Sequence, residues 1–414
     1  MGGAGGGDAM SEPKADLPLL SVKTALGPPV HLDYRALDLA EAHRRLGEHV
    51  RAQVHHILRG KIQASTPEAF AAQVRLARYC PAAISRKLAN SNEEILRSAL
   101  EEYVTCLAAW ERGAELAAFG ADRLRGPLVD GQPVSGADLA YMLQDDETGC
   151  QTGLWRAADG SAFLWHTEED RLPLGERFDR LRYMHFTAAG PGSPAQLTSF
   201  IYPDLLPGPA FGWRSDNYVQ AVDTLNLKPK APGGGILANI ATWVTLRLGS
   251  TCDLDNTLRY LGPFADGYAL NVAQAQGGVV VARNVEFAGA DRHSRKLGDA
   301  PGNFLFQVNK FFDSSTSVAR AHEAPATEKC QRLEERVARA RGWLQTMPLQ
   351  AGAREHLFQL MCSQAGGDYA YANGDVKAYL IAQSTGRQLQ VSTGAGPALV
   401  GDEPETYCGG LAPA

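Results

Sequence analysis

The chain has 414 residues, of which 44% are hydrophobic and 21% charged, and its net charge is −6 at neutral pH. This is the ordinary composition of a globular protein with a sizeable core, and the slight acidity gives no support for a nucleic-acid-binding or anionic-membrane surface. No run approaches the ~18 consecutive apolar residues of a transmembrane helix, and the first residues lack the pattern of a secretory signal.

The first third of the chain is predicted to be helical. Residues 1–16 are glycine-rich and are expected to form a disordered tail. Apolar residues from Leu39 to Ile57 recur at spacings of three and four, which is typical of one buried helix face. A second such run extends from Leu96 to Trp110 behind a capping box predicted at Ser91 and Glu94. Gly120 is expected to interrupt the pattern, and a short helix is predicted from Ala137 to Leu143.

Beyond Cys150 the pattern changes to short strands with helices between them. Strands are predicted at 162–166, 197–202, 268–275, 279–287, 377–383 and 387–393, and helices at 236–248, 254–261 and 329–344. The stretches 189–194, 207–212 and 231–235 are rich in proline and glycine and are expected to be loops. Because strands and helices are grouped and do not strictly alternate, the pattern favours an antiparallel α+β layered fold. At about 150 residues per domain, the length allows two or three domains or one large layered domain.

The seven cysteines form no C-x-x-C pair, so neither a disulfide framework nor a zinc site is indicated. A reducing cytoplasm is therefore the expected location. No dinucleotide or phosphate-binding glycine motif is present. The three glycines at 233–235 are interpreted as a linker, and His55 and His56 as surface residues.

The junction between Gly149 and Cys150 is the main candidate for chemistry. An arbitrary cysteine is most often a small buried apolar residue. Here the neighbours Thr148, Gly149 and Thr152 are small, so that attack on the Gly149 carbonyl is sterically open. If the chain is cut before Cys150, the thiol and a new α-amine with an ordinary pKa of ~8 lie on one residue, and the amine can act as the base for the thiol.

Four segments in the same order resemble the self-cleaving family of isopenicillin N acyltransferase and β-alanyl-dopamine hydrolase. They are the start Gly149-Cys150-Gln151-Thr152 with its following hairpin to Glu168, the loop from Tyr202 to Trp213, the segment Phe306 to Phe312, and the stretch Leu389 to Pro397. This resemblance covers roughly residues 110–397. It implies the four-layer αββα sandwich of N-terminal-nucleophile (Ntn) hydrolases, with residues 17–149 as a helical pro-region and residues 150–414 as the catalytic part.

The resemblance also assigns roles to individual residues. Cys150 is implied as the nucleophile, Glu168 as the carboxylate near the new amine, and Asn309 as the oxyanion donor. Glu168 is followed by Glu169 and Asp170, and the alternative is a solvated acidic cluster. For Asn309 the alternative is a buried turn amide. Thr152 is interpreted either as a hydrogen-bond donor in maturation or as an ordinary strand threonine.

Three aromatic residues of the loop, Tyr202, Phe211 and Trp213, are candidates for the rim of an acyl pocket, with core packing as the alternative. The family's asparagine after the tryptophan is replaced by Arg214, which favours a substrate that bears a carboxylate. His166 lies in the hairpin strand and is interpreted as a structural histidine. Gln307 and Lys310 replace two histidines of the family.

We therefore expect self-cleavage between Gly149 and Cys150 and a heterodimer of the two fragments. The expected reaction is hydrolysis of an amide in a small acyl-amine or aminoacyl conjugate through a thioester on Cys150, with no metal or other cofactor. One alternative is an acyltransferase that moves an acyl group from an amide or thioester to an amine. The other is an uncut, non-catalytic protein that binds a small molecule. No nucleic-acid or membrane partner is expected.

Overall fold

A computed structural model describes the parts of the chain that build the core and the candidate site. The described residues are 30–33, 38–90, 93–124, 128–144, 149–157, 160–169, 182–187, 197–225, 227–228, 235–248, 253–300, 303–324, 338, 342, 376–385, 388–395 and 405–410. The predicted tail at 1–16, the acidic residue Asp170, almost all of the predicted helix 329–344, and the loop predicted at 189–194 lie outside these ranges.

The protein is mixed α and β with largely antiparallel sheets. In the described residues the helices are α1 (Leu39–Ala64), α2 (Pro67–Asn90), α3 (Glu94–Gly113), α4 (Leu116–Arg123), α5 (Gly136–Leu143), α6 (Ala238–Leu248), α7 (Leu254–Leu261) and α8 (Ser317–His322). The strands up to residue 224 are β1 (Val30–Asp33), β2 (Leu128–Val129), β3 (Gln132–Pro133), β4 (Gly149–Arg156), β5 (Ala162–Glu169), β6 (Arg182–Thr187), β7 (Leu197–Ile201), β8 (Phe211–Arg214) and β9 (Tyr218–Thr224). The later strands are β10 (Gly267–Gln276), β11 (Val279–Ala288), β12 (Asp291–Lys296), β13 (Phe304–Gln307), β14 (Val376–Ser384), β15 (Gln388–Ala395) and β16 (Glu405–Gly410).

Two sheets pack against each other. One has the strand order β1-β6-β7-β8-β9-β10-β11-β12, and the other has the order β13-β4-β5-β14-β15-β16. Alternate residues of a strand point to opposite faces, and side chains from both sheets meet in one apolar cluster. Leu154 and Leu164 of the smaller sheet join Phe200 and Phe211 of the larger sheet in this cluster.

Helices cover the other face of the eight-stranded sheet. The apolar stripe of α1 that the spacing predicts is buried in the structure, as are Leu100 and Trp110 of α3. These side chains share one core with α6 and with sheet residues such as Val222 and Val272. In the described residues the layers are therefore helices, the eight-stranded sheet and the six-stranded sheet. None of the helices in these ranges is long and apolar enough to cross a membrane.

Several local expectations are wrong. The cap residue of α3 is Glu93, which makes no side-chain cap hydrogen bond, and the capping box of this region instead joins Ser135 to Asp138 at α5. Gly120 lies inside α4 because the chain restarts a helix at Leu116. The expected loop 207–212 ends in strand β8, because Phe211 pairs with Phe200 of β7 on one side and with Ala221 of β9 on the other.

The segment before Cys150 is not purely helical. Its strand β1 pairs with β6 in parallel at the edge of the eight-stranded sheet. The helices α1 and α3 also bury their apolar faces in the core that α6 completes. The segments before and after Cys150 are therefore joined through one continuous hydrophobic core.

Candidate active site

Cys150 lies at the start of β4, between the two sheets. Strand β4 begins at Gly149, and Cys150 pairs with Glu168 of β5 across the hairpin. Residues 150, 152 and 154 share the face towards the eight-stranded sheet, because side chains alternate along a strand. Only 1% of the Cys150 surface is exposed. Its thiol donates a hydrogen bond to the Val222 carbonyl oxygen at 3.2 Å.

Asn309 contacts Cys150 through both ends of its side-chain amide. The Cys150 backbone N–H donates to Asn309 Oδ1 at 3.2 Å, and Asn309 Nδ2 lies 3.8 Å from Cys150 Sγ. Nδ2 also donates to Thr224, at 2.8 Å to Oγ1 and at 3.2 Å to the carbonyl oxygen. A carbonyl oxygen accepts only, so these contacts fix which end of the amide faces the sulfur.

A row of buried polar side chains runs from Thr152 through His166 to Glu168, which pairs with Cys150 across the hairpin. Thr152 Oγ1 lies 2.7 Å from His166 Nδ1, and His166 Nε2 lies 2.9 Å from Glu168 Oε1. The Tyr202 hydroxyl donates to Glu168 Oε2. His166 and Thr152 are completely buried, and Glu168 is 1% exposed. Glu168 is thus part of a buried network, and the alternative of a solvated acidic residue does not describe it.

The eight-stranded sheet contributes a second row of polar side chains opposite the first. Asp223 Oδ2 accepts hydrogen bonds from Thr152 Oγ1 at 2.6 Å and from Asn271 Nδ2 at 2.7 Å. Asn271 Oδ1 in turn accepts from Asn284 Nδ2 at 2.9 Å. The space between the sheets is therefore polar next to Cys150 and apolar towards the other end of the strands, where Leu154 packs.

An ion pair between the buried Glu286 and the partly buried Arg295 closes this second row. Arg295 Nη1 donates to Glu286 Oε2 at 2.9 Å and to Asn284 Oδ1 at 3.3 Å. Burial raises the pKa of Glu286, and the neighbouring Arg295 guanidinium opposes that shift. The Phe312 backbone N–H also donates to the Glu286 carboxylate. The ion pair therefore ties the end of the polar row to the segment that carries Asn309.

The chain that leads to Cys150 is held in place at Gln144, directly after α5. The Gln144 side chain donates to the Asp204 carbonyl oxygen and accepts from the Leu206 N–H, each at 3.1 Å. The backbone carbonyl oxygen of Gln144 accepts a hydrogen bond from Asn239 Nδ2. Gln144 is 1% exposed. Because Tyr202 lies just before Asp204, one loop contacts both the chain before Cys150 and the Glu168 carboxylate.

The structure brings some of the predicted binding residues to the site and not others. Tyr202 reaches Glu168, and the Phe211 ring lies edge-on to His166 with the centroids 5.6 Å apart. Phe211 and Trp213 are buried in the apolar cluster, as the core-packing alternative expects. Whether they contact a substrate stays a prediction.

Arg214 does not reach the candidate site. It pairs with Asp216 at 2.7 Å, donates to the Leu246 carbonyl oxygen of α6 and lies 4.3 Å above the Tyr218 ring. Tyr218 is five positions from Asp223 along β9, which separates them by about 16 Å at ~3.3 Å per residue. The guanidinium is on the helical side of the sheet, so a role in binding a substrate carboxylate next to Cys150 has no support from its position.

Four polar residues of the site were missed or undervalued by the sequence interpretation. His166 was expected to be merely structural, and Asp223, Asn271 and Asn284 were not singled out. Each of the last three is a buried polar residue in a strand that also carries several apolar residues. Buried polar groups in such positions are almost always hydrogen-bonded, and this was the signal available to find them.

The described residues contain no group of histidine, cysteine and carboxylate side chains arranged to hold a metal ion. Comparison of the chain with protein-family models and with curated proteins finds no match.

Proposed function

We propose that this protein is a self-cleaving cysteine hydrolase of the N-terminal-nucleophile type, activated by a cut between Gly149 and Cys150. The observation that carries the proposal is the contact of Asn309 with both the nitrogen and the sulfur of Cys150, at 3.2 and 3.8 Å. A nucleophile, its future amine and an amide donor thereby share one buried position at the start of a strand.

The arrangement of layers supports the proposal. An αββα sandwich has two stacked sheets with helices on both outer faces, and the nucleophile lies between the sheets. Helices, the eight-stranded sheet and the six-stranded sheet are stacked in that order here. The outer face of the six-stranded sheet carries buried aromatic rings, among them Trp155, Trp165 and Phe306, as a fourth layer requires.

The proposed chemistry uses only groups of this chain and water. The Cys150 sulfur attacks the Gly149 carbonyl carbon, the Gly149–Cys150 bond breaks, and water hydrolyses the resulting thioester to give a new carboxylate and a free thiol. In the mature enzyme the α-amine takes the thiol proton. The sulfur then forms a thioester with a substrate acyl group, and Asn309 Nδ2 donates to the developing oxyanion.

The burial of Cys150 fits activation by cleavage. Gly149 pairs with Glu169 in the hairpin ladder, so the Gly149 backbone occupies the strand position next to the sulfur. Departure of the new carboxyl end of Gly149 frees that position for the acyl group of a substrate. The shared core of α1, α3 and α6 is expected to hold the two fragments together as a heterodimer. The proposed substrate is the amide of a small acyl-amine or aminoacyl conjugate.

One observation favours the non-catalytic alternative. In the uncut chain the thiol is protonated and donates to the Val222 carbonyl oxygen in a closed core. Such a chain, if it stayed uncut, would keep the Cys150 thiol inaccessible to a substrate. The alternative acyltransferase shares the thioester and differs in what accepts the acyl group.

Intact-mass measurement and amino-terminal sequencing of freshly expressed protein test the proposal. Two fragments, the heavier beginning at Cys150, are expected, and the Cys150→Ala chain is expected to stay whole. A parent chain that remains one species overturns the proposal. A panel of acyl-amine conjugates, with Cys150→Ala as the control, then tests amide hydrolysis, and activity only in the presence of an added amine acceptor would identify a transferase.

A further inference from the structure

The first cleavage step, as proposed above, raises a problem of proton transfer that the α-amine cannot solve. Before the cut, the Cys150 nitrogen is an amide that donates its only proton to Asn309 Oδ1. It has no basic lone pair to take the thiol proton. The titratable side chain opposite Cys150 on the same face of the hairpin is Glu168, and directly opposed side chains in a ladder have their Cβ atoms about 5 Å apart.

The hydrogen bonds that lead to Glu168 run in one direction, which is set at Arg295. A guanidinium only donates, so the atom of Asn284 that faces Arg295 Nη1 is the amide oxygen. Asn284 Nδ2 must then donate to Asn271 Oδ1, and Asn271 Nδ2 to Asp223 Oδ2. The orientations of both amides follow from this one cation.

A second anchor gives the same direction. Gln307 Nε2 donates to the Val308 carbonyl oxygen at 2.9 Å, so Gln307 Oε1 is the end that faces Asn284 and accepts from its Nδ2 at 3.2 Å. Carbonyl oxygens cannot donate. Arg295 and the Val308 carbonyl therefore independently fix Asn284 with its nitrogen towards Asn271.

The chain of hydrogen bonds continues from Asn271 through Asp223 and Thr152 to His166. Asp223 Oδ2 accepts from Asn271 Nδ2, and Thr152 donates its single hydroxyl proton to the same oxygen. Thr152 Oγ1 can then only accept from His166 Nδ1, 2.7 Å away. On the other side of the ring, Nε2 and Glu168 Oε1 are 2.9 Å apart, while Tyr202 donates to Oε2. One proton therefore lies between His166 Nε2 and Glu168 Oε1.

We propose that His166 is a positioning residue for self-cleavage: Thr152 holds its Nδ1–H, so that its Nε2 shares one mobile proton with the carboxylate of Glu168, the residue opposite Cys150 in the hairpin ladder. When that proton resides on Nε2, the Glu168 carboxylate accepts the thiol proton as sulfur attacks Gly149. The same proton is then delivered to the Cys150 nitrogen as the carbon–nitrogen bond breaks. The thiol loses one proton and the amine gains one, so the step is balanced without any co-reactant. This role rests on the proposed function.

In the part of the chain that the structure describes, the neighbours of the pair include Cys150 and Thr152 on β4, Leu380 on β14, Asp223 on β9, Tyr202 from the loop after β7 and, on β8, the apolar ring of Phe211. Glu286 and Arg295 form an ion pair, and Arg295 contacts Asn284 at the end of the row of asparagines. Asp223, Tyr202 and Cys150 are therefore titratable groups that lie next to the pair.

Two measurements test the proposal. In the full-length Cys150→Ala chain, nitrogen-15 NMR of labelled histidines, assigned by difference with an added His166→Gln change, is expected to show Nδ1 of His166 protonated. An unprotonated Nδ1 overturns the hydrogen-bond assignment, whether or not the parent chain cleaves.

The second measurement is the pH profile of the cleavage rate in four chains. His166→Gln is expected to slow cleavage by about 10²-fold or more, as loss of a proton-transfer group does. Thr152→Val removes the acceptor that fixes the ring and is expected to shift the profile. Thr167→Val is the matched control, because Thr167 is equally buried on the opposite face of β5 and its hydroxyl has no hydrogen-bond partner among the described residues.

An unshifted profile in Thr152→Val, or an equal shift in Thr167→Val, overturns the role of His166, since a merely structural residue changes stability and leaves the profile in place. A parent chain that fails to cleave at every pH overturns the proposed function, and the role of His166 in cleavage with it. The NMR result separates these two failures.

Discussion

The Asn309 side chain bridges the two reactive atoms of Cys150, because its Oδ1 accepts from the cysteine nitrogen while its Nδ2 lies 3.8 Å from the sulfur. We expect Asn309→Ala to slow cleavage at Gly149 by about 10²–10³-fold, the usual effect of losing one oxyanion donor. The time course of fragment formation by mass spectrometry measures this. Asn256→Ala, at an exposed position of α7, is the control, and equal rates in both variants would contradict the role of Asn309.

The Gln144 contacts predict that the chain before Cys150 must be anchored for cleavage. Gln144→Leu leaves the Leu206 N–H and the Asp204 carbonyl without their side-chain partner, and each unpaired buried polar group costs about 1–3 kcal/mol. We expect a lower free energy of unfolding and slower cleavage. Gln132→Leu in exposed strand β3 should change neither. Unaltered stability of Gln144→Leu in urea unfolding would disprove the anchoring.

A close helix crossing in the segment before Cys150 predicts opposite effects for two glycines of α1. A Cβ at Gly47 would lie 2.2 Å from the Trp110 carbonyl oxygen of α3, whereas a Cβ at Gly60 meets nothing within 4 Å. Gly47→Ala should therefore destabilise the protein by about 1–3 kcal/mol. Gly60→Ala should stabilise it by about 0.5–1 kcal/mol, because alanine favours the helix. Denaturant unfolding of both variants checks the sign of each change.

Burial of His43 predicts a loss of stability in mild acid. Its surroundings, which include the Trp243 ring, lower its pKa from the ordinary 6.5 to about 4, chiefly by desolvation. Between these two values the unfolded chain binds a proton that the folded chain does not, so stability falls as the pH drops through that window. From pH 7 to pH 5 this group should remove about 2 kcal/mol.

A histidine-free variant at that position isolates the effect. His43→Gln should show a weaker dependence of unfolding free energy on pH between 7 and 5, by about 2 kcal/mol, whatever its stability at pH 7. His56→Gln, at an exposed position of the same helix, should keep the parent's dependence. Identical pH dependence in the parent and in His43→Gln would show that His43 is not the group responsible.

Much of the architecture could be predicted because it follows from local periodicity. The apolar stripe of α1 and the adjacent strands β10 and β11 were expected within a few residues of their observed bounds. The β4–β5 hairpin also follows from neighbouring segments, and its register places Cys150 opposite Glu168. The helix α2 was missed, since Pro81 and mixed polarity obscure its apolar face.

The sequence alone thus determined which residues form the helix faces and hairpins, and it singled out the Cys150 junction as the candidate for chemistry. Only the tertiary structure decided which side chains surround that junction. Asn309 is 159 positions from Cys150, and Asp223 is 71 positions from Thr152. The same folding placed Arg214 on the helical side of its sheet. The physical reason is that the neighbours of a strand residue depend on register and on the layer packed against its face, and both are set by contacts between segments far apart in the chain.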